Sequence, residues 1–264
     1  MRIALTVCLL AAAPLLAHPP VSVVMDSHGN LFYSDLEQVW RVAPDGVSKT
    51  VAVPNVHTHE LYMDAQDNLF GEHLWYNGDA TKTWGHYVWK RDAAGRVTRV
   101  KPASDGFLTN YSFIRDRAGN MFWADRDHGR IVRIAPNGAI THVASELKAM
   151  RWLHVTRRGT LYVVDGTDLV RIRNGRTERF VRNITSAERH TMMGLWSDAA
   201  ENLYIADSEH HRVKRVTPDG TVKSFVRSPL PWSPIGGLFA PNGDLWLMEA
   251  TITNQVRLRR VERR

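Results

Sequence analysis

Three histidines and one glutamate are the residues of this chain best suited to metal or acid–base chemistry. His57 and His59 are separated by one residue in a segment that is expected to be extended, so their side chains should point the same way. Glu60 follows His59 directly. Imidazole nitrogens bind transition metals and accept protons near neutral pH. We therefore predict a divalent metal ion held by His57, His59 and His190, or catalysis by His57, His59 and Glu60. The alternative is that these side chains only bond to neighbouring segments.

A second set of candidates is aromatic. The stretch from His73 to Trp89 interrupts an otherwise regular pattern and is expected to be a long loop. Exposed rings on a loop can cover a ligand or stack on a sugar, so Trp75, Trp84 and His86 are predicted to bind ligand. The alternative is that the loop packs on itself and uses these rings as a local core.

The elements that carry these residues repeat six times. Short apolar strands follow turns such as Asp116-Arg117-Ala118-Gly119-Asn120, and each is followed by a charged strand and a Gly-containing turn. The repeat is about 40 residues long by the spacing of these turns. Four short strands in a repeat of this length are typical of a β-propeller blade. We predict an all-β, six-bladed propeller of four-stranded antiparallel blades over residues 18–264, with a last blade that has only three strands.

Each predicted unit also carries a charged pattern. Its second strand ends in an acidic residue, and its third strand holds a basic one. Because the feature recurs in every unit, we interpret it as a scaffold device rather than a catalytic centre. The acid should lie beside a basic residue of the adjoining strand or beside the backbone of a tight loop. The acidic positions are Asp35, Glu72, Asp125, Asp165, Asp207 and Glu249, and the basic ones are Arg41, Lys90, Arg133, Arg171, Arg215 and Arg257.

The propeller prediction locates a binding face. The segment before each innermost strand and the connection between the second and third strands should lie at the same, top end of the ring. Tyr111 and Arg151 come just before innermost strands, and His190 precedes the fifth one. All three are therefore predicted to bind ligand at the mouth of the channel.

The stretch from Gly194 to Gly220 resembles an NHL repeat, and the whole chain resembles the senescence-marker/gluconolactonase group of six-bladed propellers. That group implies a metal site of Glu, Asn and Asp, but the corresponding positions here hold His59, Met193 and Gly236. The peptide-amidating lyases are also six-bladed and hold zinc through histidines, which keeps the histidine hypothesis open.

Composition restricts the setting. Residues 1–17 combine a basic start, an apolar stretch and a final small residue, which predicts a signal peptide and a secreted or periplasmic protein. The single cysteine, Cys8, lies in that segment, so thiol catalysis is excluded from residues 18–264. The net charge of +7 favours anionic partners, although an exported chain is not expected to meet nucleic acid.

Three functions remain at this point. The leading hypothesis is a monomeric, exported propeller that binds a small molecule, peptide or glycan at its top face, without membrane insertion. The second is a metal-assisted hydrolase or lyase of the gluconolactonase-like or amidating-lyase-like type. The third is a scaffold for protein–protein interaction.

Overall fold

A computed structural model describes residues 19–186 and 191–262, which form a six-bladed β-propeller of antiparallel sheets. The predicted signal peptide and His190 lie outside these residues. No helix in the described ranges has the length and apolarity needed to span a membrane.

The first three blades follow in chain order, each built from its innermost strand outward. Blade 1 is β1 (Val23–Met25), β2 (Leu31–Ser34), β3 (Val39–Val42) and β4 (Lys49–Val53). Blade 2 is β5 (Leu61–Met63), β6 (Leu69–Tyr76), β7 (Trp84–Arg91) and β8 (Val97–Asp105). Blade 3 is β9 (Met121–Asp125), β10 (Arg130–Ile134) and β11 (Ile140–Ala144), and its innermost position is held by one isolated bridge between Arg115 and Met121.

The remaining blades complete the ring. Blade 4 is β12 (Met150–Val155), β13 (Leu161–Asp165), β14 (Asp168–Arg173) and β15 (Arg176–Val181). Blade 5 is β16 (Met192–Ser197), β17 (Leu203–Asp207), β18 (Arg212–Val216) and β19 (Val222–Arg227). Blade 6 is β20 (Ser233–Phe239), β21 (Leu245–Ala250) and β22 (Val256–Val261). The predicted three-stranded last blade is confirmed.

The repeated Asp-x-x-Gly-Asn sequence forms the turn between the first and second strands of a blade. In blade 3, Oδ1 of Asp116 accepts from the N–H groups of Ala118 and Asn120, and Oδ2 accepts from Nδ2 of Asn120 at 2.8 Å. Gly119 has a φ of 79°, which a residue with a side chain rarely adopts. The same aspartate–asparagine contacts occur at Asp26, Asp64 and Asp198. The motif therefore specifies the fold and belongs to the face opposite the candidate site.

Among the described residues no strand is shared between blades 6 and 1, and the two blades meet there by packing. At the centre, a Cβ added to Gly236 of β20 would lie 2.2 Å from the carbonyl oxygen of Val21. The N–H of Val21 in turn donates to the carbonyl of His59 at 3.1 Å. Further out, Trp246 of β21 lies against Gly46 of blade 1. One apolar cluster joins blades 1, 5 and 6, so burial of side chains replaces a shared strand.

The acidic residue at the end of the second strand pairs with a cation of the third strand in blades 3, 5 and 6. These contacts are short and largely removed from water, as the scaffold interpretation requires. The pairs are Asp125–Arg130 at 2.6 Å, Asp207–Arg212 at 2.8 Å and Glu249–Arg257 at 2.8 Å.

Only one of these three cations is a predicted one. The predicted Arg133 and Arg215 lie opposite Phe122 and Tyr204, away from the end of the second strand, so their pairing with the acidic residues is wrong. The residue that directly faces the acid is the first of the third strand, such as Arg130. Arg257 takes that role in blade 6 because it lies opposite Glu249.

Replacing Glu249 by Ala is expected to cost about 2–3 kcal/mol of unfolding free energy, since Arg257 and Arg259 lose a fully buried acceptor but still reach water. Burial acts to raise the pKa of Glu249, and hydrogen bonds from Arg259 and Arg257 outweigh it, so the pKa lies below its usual value. The stabilisation is therefore present at neutral pH and lost on acidification.

Urea unfolding at pH 7 measures the loss in Glu249→Ala, with the more exposed pair Glu178–Arg171 as control. Glu178→Ala should cost under about 1 kcal/mol, and equal losses in both variants would contradict the prediction.

Candidate functional site

His57 and His59 lie side by side in the segment that connects β4 to β5. Their ring centroids are 4.8 Å apart with an interplanar angle of 67°. The N–H of His57 donates to Nδ1 of His73 at 3.0 Å, and its carbonyl accepts from the N–H of Leu74 at 3.0 Å. These bonds hold the segment along the inner edge of β6. The extended segment thus brings the two imidazoles together, as their spacing predicts.

Glu72 of β6 is the carboxylate next to His59. Its Oε1 lies 3.5 Å from Nδ1 of His59, and the residue is only 8% exposed. Its backbone carbonyl accepts from Nε1 of Trp89 at 2.9 Å and from the hydroxyl of Thr58, which ties the strand to the histidine segment. A carboxylate beside one ring nitrogen orients an imidazole and makes its two nitrogens distinct.

Glu60 keeps its proton to a higher pH than an ordinary glutamate. Burial is the main cause and the Glu72 carboxylate the second, and they raise the pKa of Glu60 from 4.5 to about 7. His59, Arg126 and the N–H of Phe113 act in the opposite direction without cancelling the effect. A carboxyl group with a pKa near 7 exchanges its proton at neutral pH, which a general acid or base must do.

The pKa of His57 is shifted down rather than up. Burial first, and then the neighbouring His59 and His73, lower the pKa of His57 from 6.5 to about 4. Burial also lowers the pKa of His73. His57 is therefore a neutral imidazole at the pH where Glu60 is still partly protonated.

Arg126 supplies a positive charge from the neighbouring blade. It directly follows β9, is exposed, and its Nη2 donates to the carbonyl of Arg151 in β12 at 3.4 Å. Its positive charge lowers the pKa of Glu60, against the effect of burial. We call His57, His59, Glu60, Glu72 and Arg126 the mouth cluster.

The predicted ligand residues Tyr111 and Arg151 have different surroundings. Arg151 lies next to the mouth cluster through its contact with Arg126. Tyr111 has Nζ of Lys101 5.0 Å and Cζ of Arg115 5.1 Å from its ring centre, so cations already occupy its ring. His190 lies outside the described residues. Ligand binding by these three residues stays a prediction.

The insertion after Glu72 is a hairpin, whereas a loop was predicted. β6 and β7 are each eight residues long and pair from Leu69–Arg91 to Tyr76–Trp84. Cross-strand aromatic contacts such as Tyr76–Trp84, at 5.2 Å between centroids, stabilise the extension. The segment that was expected to be irregular instead extends β6 and β7, which makes these strands of blade 2 long.

The three predicted ligand residues of this hairpin do not share one face. Trp84 stacks on Phe107 at 5.5 Å, and His86 is buried with its Nδ1 2.9 Å from the carbonyl oxygen of Gly106. Trp75 points to the opposite side of the sheet, because side chains alternate along a strand. His86 is committed to the hairpin itself, which agrees with the alternative of a self-packed insertion.

The predicted metal site is not formed by the described residues. Among them, no three His, Cys, Asp or Glu side chains are placed to hold a metal ion. Nδ1 of His73, which is close to His57, already accepts a backbone hydrogen bond. The set of His57, His59 and His190 is untested because His190 lies outside the described residues. The described residues alone do not form a metal centre.

Sequence reasoning missed Glu72, His73 and Arg126 as members of the site. Glu72 belongs to the repeated acidic pattern that was interpreted as scaffold, and Arg126 was not considered as a site residue. The available signal was the break in the pattern, because in blade 2 the residue opposite the acid is Val88 rather than an arginine. Without that partner, the Glu72 carboxylate is left to interact with His59.

Comparisons with known proteins identify the fold. No protein-family model matches this chain, and no curated protein sequence does. Among solved structures, a gluconolactonase from Xanthomonas campestris is similar with a TM-score of 0.61 and 17% identity, over 89% of this chain and 85% of that one. An auxiliary nutrient binding protein from Bacteroides thetaiotaomicron has a TM-score of 0.64 and 12% identity, over 93% and 70%.

A third similar structure is virginiamycin B lyase from Staphylococcus aureus, with a TM-score of 0.55 and 13% identity, over 94% of this chain and 86% of that one. The names of these three structures describe different activities, and all three have low sequence identity to this chain. A fold of this kind hosts many activities, so the site must carry the functional argument. What the comparisons establish is that the chain has the six-bladed propeller architecture of gluconolactonase-like and lyase structures.

Proposed function

We propose that this protein cleaves a carbon–oxygen bond of a small ester or lactone by acid–base chemistry at the mouth cluster. The observation that carries the proposal is Glu60, with a pKa of about 7, beside the His59–Glu72 pair. Titratable groups whose surroundings push their pKa values apart are characteristic of acid and base roles in catalysis. The names of two similar structures, a gluconolactonase and a lyase, support this reaction class.

In this mechanism His59 is the general base and Glu60 the general acid. For hydrolysis, His59 takes a proton from water, the water oxygen bonds to the acyl carbon, and Glu60 protonates the leaving oxygen as its bond breaks. For elimination, His59 takes a proton from the carbon next to the one that carries the leaving oxygen. A double bond then forms between these carbons, and Glu60 again protonates the leaving oxygen.

The other members of the cluster support these two steps. The Glu72 carboxylate, 3.5 Å from Nδ1 of His59, orients the ring and stabilises the positive charge that arises on it. The charge of Arg126 favours the ionised form of Glu60, which results when Glu60 gives up its proton. His57 stays neutral and presents a hydrogen-bonding group without a competing charge.

Turnover of a panel of lactones and phenyl esters is expected to fall as the pH rises through about 7, because Glu60 must carry a proton to act as an acid. Initial rates between pH 5 and 9 measure this, on the order of one assay per half pH unit. Incorporation of ¹⁸O from labelled water into the product identifies hydrolysis, and its absence with an unsaturated product identifies elimination. A rate that is independent of pH across this range would contradict the role of Glu60.

Binding without turnover is the second candidate function. It is favoured by the tall aromatic hairpin of blade 2, which stands next to the mouth cluster, and by the similarity to a nutrient binding protein. In that case ligand affinity would survive removal of the Glu60 carboxyl, and no substrate of the panel would be consumed.

A further inference from the structure

One face of the blade 2 hairpin presents a row of partly exposed rings. His73, Trp75 and Tyr87 follow each other on this face, with centroid distances of 5.7 Å for His73–Trp75, 5.0 Å for His73–Tyr87 and 6.1 Å for Trp75–Tyr87. All three side chains are partly exposed. We call this row the aromatic platform.

A glycine lets the Trp75 indole lie flat against the neighbouring strand. Gly85 of β7 lies directly opposite Trp75, and a Cβ added to Gly85 would lie 2.2 Å from Cζ2 of the Trp75 indole. The indole thus rests on the backbone of the neighbouring strand in the space where a side chain would stand. Nε1 of Trp75 donates to Oδ1 of Asn77 at 2.8 Å, which holds the ring in this orientation.

Polar groups border the platform. The guanidinium of Arg99 lies over the Tyr87 ring, 4.3 Å from its centre, so a sugar would stack on Trp75 rather than on that face of Tyr87. The side chain of Asn77 is exposed beside Trp75. A flat apolar ring surface with hydrogen-bonding groups at its edge matches a pyranose. One face of that sugar ring is made of C–H groups, and its rim carries hydroxyls. Aromatic side chains suit this purpose because they offer a large, rigid contact area.

The platform is continuous with the mouth cluster. Nδ1 of His73 accepts the N–H of His57 at 3.0 Å, and the His57 ring lies 4.8 Å from that of His59. The residues that lie between Trp75 and His59 along this path are His73 and His57. An extended substrate can engage both places at once.

We propose that the aromatic platform is a sugar-binding subsite, and that the substrate class of the mouth cluster is a glycosylated or sugar-derived ester or lactone. This substrate assignment rests on the proposed function, whereas the sugar-binding property of the platform does not. The sugar ring stacks on Trp75, its hydroxyls bond to Asn77 and Arg99, and the scissile bond lies at His59 and Glu60.

The test is titration of the full chain with maltose, cellobiose, lactose and N,N′-diacetylchitobiose, followed by tryptophan fluorescence and calorimetry. At least one sugar is expected to bind, and Trp75→Ala should weaken that binding by at least about tenfold, the loss typical of one stacked ring. Trp75→Phe should restore part of it. Gly85→Val should act like Trp75→Ala, because its side chain displaces the indole.

Phe107→Ala is the matched control, since it removes an exposed ring from the opposite face of the same blade and should leave binding unchanged. Near-ultraviolet circular dichroism of each variant verifies the fold. Failure of all four sugars to bind, or equal losses in Trp75→Ala and Phe107→Ala, would overturn the subsite. Sugar binding that depends on Trp75 in a protein that consumes no ester or lactone would retain the subsite and reject the catalytic proposal.

Discussion

Glu60→Gln is expected to lower turnover by about 10²–10⁴-fold, the usual contribution of a general acid, while the protein stays folded. Glutamine has nearly the same shape and can still accept the N–H of Phe113, but it has no proton to donate to a leaving oxygen. Ligand affinity should change much less than the rate of the chemical step, so the loss should appear in kcat rather than in KM.

Glu60→Gln lowers turnover, but its Tm relative to wild type is expected to rise with pH. The folded protein holds the proton of Glu60 up to about pH 7, whereas an unperturbed glutamate releases it near 4.5. The wild type therefore loses stability as the pH rises between these values, and the neutral glutamine does not. The Tm of Glu60→Gln relative to wild type should increase from pH 4 to pH 7 and then stay constant.

The control for both effects is Glu209→Gln, which changes an exposed glutamate in the top-face connection of blade 5. It should alter neither the rate nor the pH dependence of Tm. If Glu60→Gln retains full turnover, Glu60 is not the acid and the assignment of the mouth cluster fails. If the Tm difference does not vary with pH, the carboxyl group does not have the raised pKa on which the mechanism depends.

Gly236→Ala is expected to destabilise the protein by at least about 3 kcal/mol, at or above the usual upper range for overpacking. The new Cβ would lie 2.2 Å from the carbonyl oxygen of Val21, a backbone atom that cannot rotate away. Within residues 19–186 and 191–262, blades 6 and 1 share no strand, and this contact and the surrounding apolar cluster join them. Moving Val21 would also disturb its bond to the carbonyl of His59, and with it the mouth cluster.

Urea unfolding followed by tryptophan fluorescence measures this loss. Gly78→Ala is the matched control, because Gly78 has open space around it and a φ of 94°, so alanine there meets backbone strain without a collision. That strain should cost on the order of 1 kcal/mol. A Gly236→Ala protein within about 1 kcal/mol of wild type would show that the seam between blades 6 and 1 adjusts more easily than its geometry indicates.

Much of the fold could be predicted because its determinants are local. The Asp116–Asn120 turn is closed by bonds between residues at most four positions apart, and the requirement for Gly119 follows from its φ alone. The number of blades follows from repetition of that unit. The three-stranded last blade was predicted from the same repeat pattern.

The site was less predictable because it depends on which repeats deviate. His57, His59 and Glu60 were found, since they interrupt the pattern at the start of an innermost strand. Glu72 was assigned to the scaffold although it lies beside His59, and Arg126, whose charge lowers the pKa of Glu60 from another blade, was not considered. Contacts between residues distant in the chain leave no local signature in a single sequence.

The sequence by itself determined the all-β class, the six blades and the histidine-rich segment before β5, because strand periodicity and turn chemistry act over a few residues. Only the tertiary structure decided that the insertion is a hairpin with a flat aromatic face. It also decided that the ring closes by packing at Gly236, and that Glu60 holds its proton to about pH 7. These properties come from burial and from charges on different strands, and both exist only when the blades are assembled into a ring.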